Sequence, residues 1–296
     1  MADASPGIGA LTPVKGLLVS LVDGVLAVTM DRAERLNSLT SAMLTGIADV
    51  MEAAASDARV RVVRFGGNGR GFCAGVGIEG RPQPAEPEVD MVQEANRAVR
   101  AITTLCRPVV AAVHGPAAGV GVSLALSCDI VLASEDAVFT LAFTKIGLMP
   151  DGGASALVAA AIGRLRAMRM ALLAEKLSSA DALDWGLVAA VHPADVFADE
   201  VDNVIATLST GPIVALGKTK HAINSATLRE LKAPSRENTA GSPNSSRAVT
   251  SARARRHSCN AGNPTSPTRS RPVVRGRSQR AGGVTVGLSR GPRSQR

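Results

Sequence analysis

An abrupt change of composition after Lys232 divides the chain of 296 residues into two segments of opposite charge. Residues 1–232 contain 20 Lys and Arg against 24 Asp and Glu, which gives a formal charge of −4. Residues 233–296 contain 13 Arg and one acidic residue, which gives +12, and they include one Leu and no Ile, Phe or Met. Such a segment cannot bury enough apolar surface to offset the entropy lost on folding. We therefore predict one folded domain over residues 1–232 and a disordered basic tail over residues 233–296.

The composition also excludes several classes of function. The chain has five Phe, one Trp and no Tyr, so its core must be aliphatic and the stacking platforms of single-stranded nucleic-acid binders are missing. Four cysteines lack the spacing of a zinc site or a disulfide framework: Cys73, Cys106, Cys128 and Cys259. There is no run of about 18 apolar residues, and the N-terminus does not resemble a signal peptide. These features predict a cytoplasmic protein without a bound metal and without a membrane or nucleic-acid partner.

Short apolar runs alternate with helical patterns along the first segment. Two β-rich runs flank Asp23-Gly24, which predicts a hairpin. Apolar residues recur at helical spacing from about Thr40, and residues 59–65 and 108–113 have the pattern of short strands. Helices dominate the end of the segment. This alternation predicts an α/β fold with a helical C-terminal region.

Two glycine-rich loops, Gly66–Gly80 and Gly115–Gly121, each follow a predicted strand and lead into a helix. Glycine permits positive φ and a close approach of a ligand to the backbone. Amide groups at a helix N-terminus are free donors, and the helix dipole favours negative charge there. Such loops bind phosphate or hold an oxyanion that develops during a reaction. Neither loop has the pattern of a P-loop or a dinucleotide-binding fingerprint, and an ordinary tight turn is the alternative interpretation.

Four sequence blocks occur in an order and at a spacing typical of one family. They are FCAGVGI (72–78), PVVAAVHGPAAGVGVSLALSCDIVLAS (108–134), FTLAFTKIGLMPDGGAS (139–155) and ALDWGLV (182–188). Over residues 15–232 the chain resembles the crotonase superfamily, the enoyl-CoA hydratase/isomerase family. The resemblance implies a spiral of ββα turns with a helical C-terminal region, assembled into homotrimers or hexamers. It also implies an acyl-CoA substrate and no cofactor, because coenzyme A is part of the substrate.

The shared chemistry of the resembled family is a thioester enolate held by two backbone amides. Carried over by position, these are the amide of Val76, after Cys-Ala-Gly in the first loop, and the amide of Val120, between two glycines of the second loop. Two preorganised donors and a helix N-terminus stabilise the negative charge of such an oxygen. Val120 stands where the family usually has glycine, and Gly77 stands where it usually has aspartate.

The acid–base residues implied by the resemblance favour isomerisation over hydration. Hydratases of the family hold water between two glutamates, and here Ser123 and Phe143 stand at those positions. Asp151 stands where several isomerase-type members carry a carboxylate. We expect Phe143 to form an apolar wall that increases the basicity of Asp151, and one base can move a proton between two carbons of an enolate. The alternatives are a hydratase that uses Asp151 or Glu79, an acyl-CoA-binding protein without activity, and a structural turn at Asp151.

The resemblance also implies where coenzyme A binds. The predicted contacts are Arg32, Arg35, Asn37, Leu39, Ala74, Gly75 and Lys220. Lys218 and Lys220 on a late helix are candidates for phosphate contacts, although a solvated cationic face explains them equally well. His114 is predicted to make a structural hydrogen bond, and Cys73 is predicted to be a small buried side chain rather than a nucleophile.

The arginine-rich segment has two possible origins. Arg, Pro, Gly, Ala and Ser are the residues that GC-rich DNA encodes out of frame, so we expect residues 233–296 to arise from a shifted reading frame. Translation of the other two frames downstream of codon 232 should then yield an amphipathic helix of the family, and its absence from both frames would contradict this origin. The alternative is a genuine basic arm for nucleic acid or an acidic partner. Truncation after residue 232 would then abolish a salt-sensitive affinity for DNA.

Overall fold

The computed structural model describes residues 8–76 and 91–232. Gly77, Glu79 and the tail over residues 233–296 lie outside the described residues, so the expectations that concern them stay predictions.

Strands and helices alternate through most of the described residues, and helices dominate the last part. The strands are β1 (Leu17–Val22), β2 (Val25–Met30), β3 (Val62–Gly67), β4 (Val109–Val113), β5 (Pro116–Ala118), β6 (Ile130–Ser134), β7 (Val138–Thr140), β8 (Leu177–Ser178) and β9 (Ala190–His192). The α-helices are α1 (Ser41–Ser56), α2 (Met91–Thr104), α3 (Val120–Ser127), α4 (Ala154–Leu173), α5 (Ser179–Trp185), α6 (Phe197–Thr210), α7 (Ile213–Thr227) and α8 (Arg229–Lys232). Short 3-10 helices cover Ile8–Ala10, Ala33–Arg35 and Ala142–Ile146. The predicted α/β class with a helical C-terminal region is confirmed.

Six strands form the main sheet in the order β1-β2-β3-β4-β6-β9. β1 and β2 form an antiparallel hairpin, and the strands from β2 to β9 are parallel to their neighbours. The hairpin turn is Asp23-Gly24, with φ of 48° and 81°, as two-residue hairpin turns prefer. The predicted hairpin is therefore confirmed. Because β3 and β4 are parallel, the loops that follow them leave the same edge of the sheet.

Thr40 caps helix α1, which begins at Ser41. The Oγ1 atom of Thr40 accepts a hydrogen bond from the amide of Met43 at 3.2 Å, the bond that preferred N-cap residues make. The buried face contains the apolar residues that recur at helical spacing: Met43, Leu44, Ile47, Val50, Met51 and Ala54. Both the start and the buried face of the predicted helix are therefore confirmed.

The third strand differs from its prediction at both ends. β3 begins at Val62 rather than at residue 59, because a turn holds the Arg59 amide against Oδ1 of Asp57. It extends beyond residue 65, because Gly66 and Gly67 pair in register with the end of β2. The strand therefore leads directly into the first glycine-rich loop.

Two aliphatic layers enclose the main sheet. On one face α1 and α2 pack over a cluster that includes Leu26, Val28, Phe65, Val109 and Ala111. On the other face α6 contributes Val201 and Ile205 to a smaller cluster with Val62, Val110 and Leu132. Most of the buried side chains are aliphatic, as the composition predicts, and four of the five phenylalanines are buried among them: Phe65, Phe72, Phe139 and Phe143.

A second, smaller sheet with the strand order β5-β7-β8 lies next to the glycine-rich loops. β5 is parallel to β7, and β8 is antiparallel to β7. The isolated bridge Cys73–Ala117 connects this sheet with the first loop, and the bridge Leu39–Val76 connects that loop with the segment before α1. Three separate parts of the chain therefore meet around the two loops.

The C-terminal region is helical. Helix α4 is kinked at Gly163, whose φ of 73° and ψ of 163° lie outside the helical range. Across the two described ranges, no helix combines the length and the apolar character that crossing a membrane requires.

A buried ion pair fastens α7 to the rest of the domain. Nζ of Lys220 lies 2.9 Å from Oδ2 of Asp129, and the two side chains are 5% and 19% exposed. The ammonium donates to the carbonyl oxygens of Ile102 at 2.9 Å and Arg107 at 3.2 Å, and Oδ2 of Asp129 accepts from the Val109 amide at 2.8 Å. Burial raises the pKa of Asp129 above its ordinary value, and Lys220 opposes that rise. The pair joins α7 to α2 and to the starts of β4 and β6.

Lys220→Ala should lower the free energy of unfolding by about 3–5 kcal/mol, because removing one partner of a buried pair leaves the other charge uncompensated. Lys218→Ala is the matched control: Lys218 is exposed on the same helix, and its removal should change stability by no more than about 0.5 kcal/mol. Urea denaturation of the two variants and the wild type measures the difference. Equal stabilities of the two variants would contradict this account of α7.

Candidate active site

One buried amide side chain anchors the first glycine-rich loop. Nδ2 of Asn37 donates to the carbonyl oxygens of Asn68 and Gly71, both at 2.8 Å, and its Oδ1 accepts from the Arg32 amide at 2.8 Å. Leu36 and Asn37 both adopt the left-handed conformation, with φ of 48° and 55°. That conformation is uncommon outside glycine, and Asn tolerates it better than most residues. This turn holds the start of the loop against the segment that precedes α1.

A later, described part of the first loop pairs with the same segment. The Ala74 amide donates to the carbonyl oxygen of Leu36 at 2.8 Å, and the Leu39 amide donates to that of Gly75 at 2.8 Å. The structure thus brings together the two stretches in which coenzyme A contacts are predicted, residues 32–39 and Ala74-Gly75.

The residues predicted to contact coenzyme A in these stretches differ in their solvent exposure. Three of them are buried: Asn37, Leu39 and Gly75. Arg35 and Ala74 are exposed. Arg32 is half-buried, and its Nη1 donates to the carbonyl oxygen of Ser38 at 2.6 Å. The buried residues therefore shape the segment, whereas Arg35 and Ala74 offer surface that a ligand can contact.

The two glycine-rich loops lie directly against each other. The Cys73 amide donates to the carbonyl oxygen of Pro116 at 3.0 Å, and the Ala118 amide donates to that of Cys73 at 2.8 Å. Gly75 has φ of 85°, and a Cβ there would lie 2.8 Å from the carbonyl oxygen of Ala118. A Cβ at Gly121 would lie 2.6 Å from the carbonyl oxygen of Cys73. Both positions therefore require glycine, because the backbones approach too closely for a side chain.

Two backbone amides at this junction donate to no residue within the described ranges, those of Val76 and Val120. Val120 is the first residue of α3, so its amide has no partner inside the helix. The residues that precede the two valines are neighbours, since a Cβ at Gly75 would lie 3.7 Å from Cα of Gly119. The two predicted donors therefore lie on adjacent loops, and the positive end of the α3 dipole is at one of them.

Asp151 lies beside the start of α3. The Oγ atom of Ser123 donates to the carbonyl oxygen of Asp151 at 3.2 Å. A Cβ at Gly152 would lie 3.4 Å from that Oγ and 3.6 Å from a methyl group of Val120. Asp151 is half-buried, and its Oδ1 is inaccessible to solvent. The turn that carries this carboxylate is therefore next to one of the two candidate amide donors.

Ser123 and Phe143, which stand where the resembled hydratases carry glutamates, both lie at this site. A Cβ at Gly119 would lie 3.6 Å from the Phe143 ring, and Phe143 is buried. Neither residue is a carboxylate. Of the two candidate carboxylates, Asp151 lies within the described part of the site, and Glu79 lies outside the described residues.

The structure contradicts the prediction that Lys220 contacts coenzyme A. Its ammonium is buried with Asp129 and two carbonyl oxygens at the N-terminal ends of β4 and β6, whereas the glycine-rich loops follow the C-terminal ends of β3 and β4. An ammonium has three donors, and these partners take all of them. The sequence does not reveal this, because the face that a helix buries depends on elements far away in the chain.

The predicted structural roles of His114 and Cys73 are confirmed. Nε2 of His114 is hydrogen-bonded to the carbonyl oxygen of Gly69 at 2.9 Å, which fixes the first loop at a second point. The thiol of Cys73 donates to the carbonyl oxygen of Asn37 at 3.3 Å. Burial raises the pKa of Cys73 to about 12, so the thiol stays protonated at neutral pH and is a poor nucleophile.

Two contacts at the Asp151 turn were not predicted. One is the Ser123 hydrogen bond described above, and the other is made by Leu231 of α8, which lies 2.5 Å from where a Cβ at Gly153 would be. Both join parts of the chain that are far apart in sequence, and no local pattern indicates them.

The site as a whole combines two amide donors with one carboxylate. Amide donors and a helix N-terminus stabilise negative charge that develops on an oxygen, and a neighbouring carboxylate can exchange a proton with the same substrate. The described residues contain no group of three or more His, Cys, Asp or Glu that could hold a metal ion. This geometry suits proton transfer next to a developing oxyanion.

Comparison with known proteins identifies one family. The sequence profile of the enoyl-CoA hydratase/isomerase family matches residues 21–248. The 1,2-epoxyphenylacetyl-CoA isomerase of Escherichia coli strain K12 is 39% identical over 220 residues, which cover 73% of this chain and 84% of that protein.

Solved structures agree with this match. The crystal structure of an enoyl-CoA hydratase from Mycobacterium avium subsp. paratuberculosis K-10 is similar with a TM-score of 0.76 and 59% identity, and covers 81% of this chain and 100% of its own. That of an enoyl-CoA hydratase/isomerase from Pseudoalteromonas atlantica T6c has a TM-score of 0.70 and 30% identity, and covers 82% of this chain and 100% of its own. The predicted resemblance and its fold are therefore confirmed.

Gly75→Ala should lower the free energy of unfolding by about 2–5 kcal/mol. About 1–2 kcal/mol comes from a side chain at positive φ, and about 1–3 kcal/mol comes from crowding against the second loop. Gly147→Ala is the matched control, because Gly147 has φ of 74° but no atom within 4 Å of an added Cβ, so it should lose the first contribution alone. Urea denaturation of both variants tests this. Equal losses would show that the two loops are not in contact.

Proposed function

The chain belongs to the enoyl-CoA hydratase/isomerase family, and we propose that it moves the carbon–carbon double bond of an enoyl-CoA thioester. The observation that carries this proposal is one carboxylate, Asp151, beside the start of α3, with Ser123 and Phe143 where hydratases carry glutamates. A single carboxylate can take a proton from one carbon and return it to another. Addition of water requires one group that activates the water and another that protonates the α-carbon.

The amides of Val76 and Val120 serve as oxyanion donors in this proposal. Loss of a proton next to the thioester carbonyl sends an electron pair toward the carbonyl oxygen, which becomes negatively charged. Each preorganised donor contributes roughly 3–4 kcal/mol of transition-state stabilisation in comparable sites. Because this charge is absent from the bound substrate, the donors act mainly on kcat.

Asp151 alone can carry out both proton transfers of the proposed reaction. From a 3-enoyl-CoA, the carboxylate removes a proton from C2, and the electrons of the broken bond give a dienolate with its charge on the thioester oxygen. The carboxylic acid then returns the proton to C4, which yields the 2-enoyl-CoA and restores the carboxylate. The proposed reaction consumes no water, and coenzyme A enters only as part of the substrate.

Coenzyme A lies, in this proposal, along the segment from Arg32 to Leu39. The exposed Arg35 supplies a cation for its phosphates, and the exposed Ala74 lies beside the acyl end, next to the two amides. We further propose, from the family resemblance, that the protein is a cytoplasmic homotrimer or hexamer.

Hydration is the second candidate function, and the names of relatives support it. The Mycobacterium avium protein, which is 59% identical, is called an enoyl-CoA hydratase, whereas the Escherichia coli protein is called an isomerase. A hydratase mechanism would require Asp151 or Glu79 to activate water. A third candidate is a protein that binds acyl-CoA without turnover.

Asp151→Asn should lower the rate of isomerisation of 3-enoyl-CoA by about 10²–10⁴-fold, which is the range that a general acid–base group contributes. Asp136→Asn is the control, because Asp136 is exposed in the turn between β6 and β7, and it should retain wild-type activity. The assay follows 3-enoyl-CoA and 2-enoyl-CoA of several chain lengths by chromatography, which separates isomers from 3-hydroxyacyl products.

The same assay distinguishes the three candidates. Isomerisation that depends on Asp151 supports the first one. Hydration of 2-enoyl-CoA that survives Asp151→Asn would overturn it in favour of a hydratase. Absence of turnover together with calorimetric binding of the CoA esters would favour the third candidate.

A further inference from the structure

The carboxylate of Asp151 is carried by a turn with unusual freedom. Asp151 is followed by Gly152 and Gly153, which have φ of 56° and 73°. Two consecutive glycines lose more conformational entropy on ordering than any other pair of residues. A catalytic group must nevertheless be held within about 0.5 Å of its working position. Contacts from outside the turn therefore have to fix it.

The first such contact comes from α3. Oγ of Ser123 donates to the carbonyl oxygen of Asp151 at 3.2 Å. The same carbonyl accepts from the Ala154 amide at 3.0 Å at the start of α4. Ser123 is fully buried, and its Cβ lies 3.4 Å from where a Cβ at Gly152 would be. Ser123 thus holds the backbone of the turn against the helix that also carries the Val120 amide.

The second contact comes from α8. A Cβ at Gly153 would lie 2.5 Å from Cδ1 of Leu231, and the next nearest atoms belong to Val99 and Leu157 at 3.6 and 3.7 Å. Leu231 is half-buried and packs against the main core. Its side chain fills the space that the missing side chain at Gly153 leaves, so the turn cannot move in that direction without displacing α8.

The course of α7 determines where Leu231 lies. Besides the Lys220 pair, Nδ2 of Asn224 donates to the carbonyl oxygen of Thr103 at 3.0 Å. A Cβ at Gly217 would lie 2.7 Å from the carbonyl oxygen of Cys106. These contacts fix α7 against the end of α2, and α8 then reaches the turn.

We propose that Ser123 and Leu231 are positioning residues that together clamp the Asp151-Gly152-Gly153 turn and so set the place of the carboxylate relative to the Val120 amide. This proposal rests on the proposed function of Asp151. It assigns to Ser123 a role other than the proton transfer of the glutamate that the resembled hydratases carry there. It also makes the last helix of the described chain part of the catalytic apparatus, although that helix need not touch the substrate.

The test measures isomerisation by the full chain and by Ser123→Ala and Leu231→Ala. Each variant should lower kcat by roughly tenfold, because a small misplacement of a reacting group is costly, while KM changes by no more than about twofold. Leu231→Met, which refills the volume, should restore most of the rate.

Each variant has a matched control. Ser127→Ala removes a buried hydroxyl from α3 that donates to Leu124 instead of the turn. Leu216→Ala removes a half-buried leucine from α7 that contacts Gly211. Both controls should keep the wild-type kcat. Loss of kcat in the controls equal to that in the clamp variants would overturn the proposal, since general destabilisation would then explain both.

A second readout does not depend on activity. Hydrogen exchange of the Ala154 amide, which is bonded to the carbonyl oxygen of Asp151, should accelerate in Ser123→Ala and Leu231→Ala and stay unchanged in the two controls. If the wild type turns over no enoyl-CoA, the proposed function fails. The clamp can still be tested in that case, because it predicts faster hydrogen exchange at this turn in Ser123→Ala and Leu231→Ala. Unchanged exchange, or faster exchange with an unchanged kcat, would overturn the proposal. A change in KM or chain-length preference alone would also overturn it, because Leu231 would then contact substrate.

Discussion

The backbone contact between the two glycine-rich loops is the constraint on which the rest of the site depends. Parallel pairing of β3 with β4 brings both loops to one edge of the main sheet. The Cys73 backbone joins them by one hydrogen bond that it donates and one that it accepts. Side chains at Gly75 or Gly121 would occupy space that carbonyl oxygens already fill. The amides of Val76 and Val120 therefore lie on adjacent loops because of the glycines beside them. A valine at 120 is compatible with this contact, since its side chain is buried in the core.

Local sequence patterns suffice to predict which elements form, and long-range pairing decides where they end. The hairpin at Asp23-Gly24 and the cap at Thr40 depend on residues within one turn, so both are predictable. The extension of β3 through Gly66 and Gly67 is not predictable, because glycine is typical of loops. These residues become strand only through the hydrogen bonds that β2 supplies.

In the candidate site, the sequence predicts some roles without predicting the partners. The structural roles of Cys73 and His114 are confirmed, but their partners Asn37 and Gly69 are far away in the sequence. The prediction for Lys220 is wrong, because a lysine on a late helix has the pattern of a solvated residue until Asp129 is brought beside it by the fold. Asn37 shows another limit of sequence-based prediction. It is a predicted coenzyme A contact, but its side chain is buried and holds the first loop through three hydrogen bonds.

The Asp151 turn connects the chemistry of the site with the organisation of the whole chain. A lone carboxylate on two glycines can act as an acid and a base only if other elements hold it, so the loss of two glutamates and the presence of a clamp belong together physically. The clamp draws on α3 and on α8, and α8 is placed by the buried Lys220 pair and by Asn224. The contacts that determine the position of Leu231 are thus provided within the described residues. Leu231 immediately precedes Lys232, after which the composition changes, so residues 1–232 contain every described element that the proposed proton transfer requires.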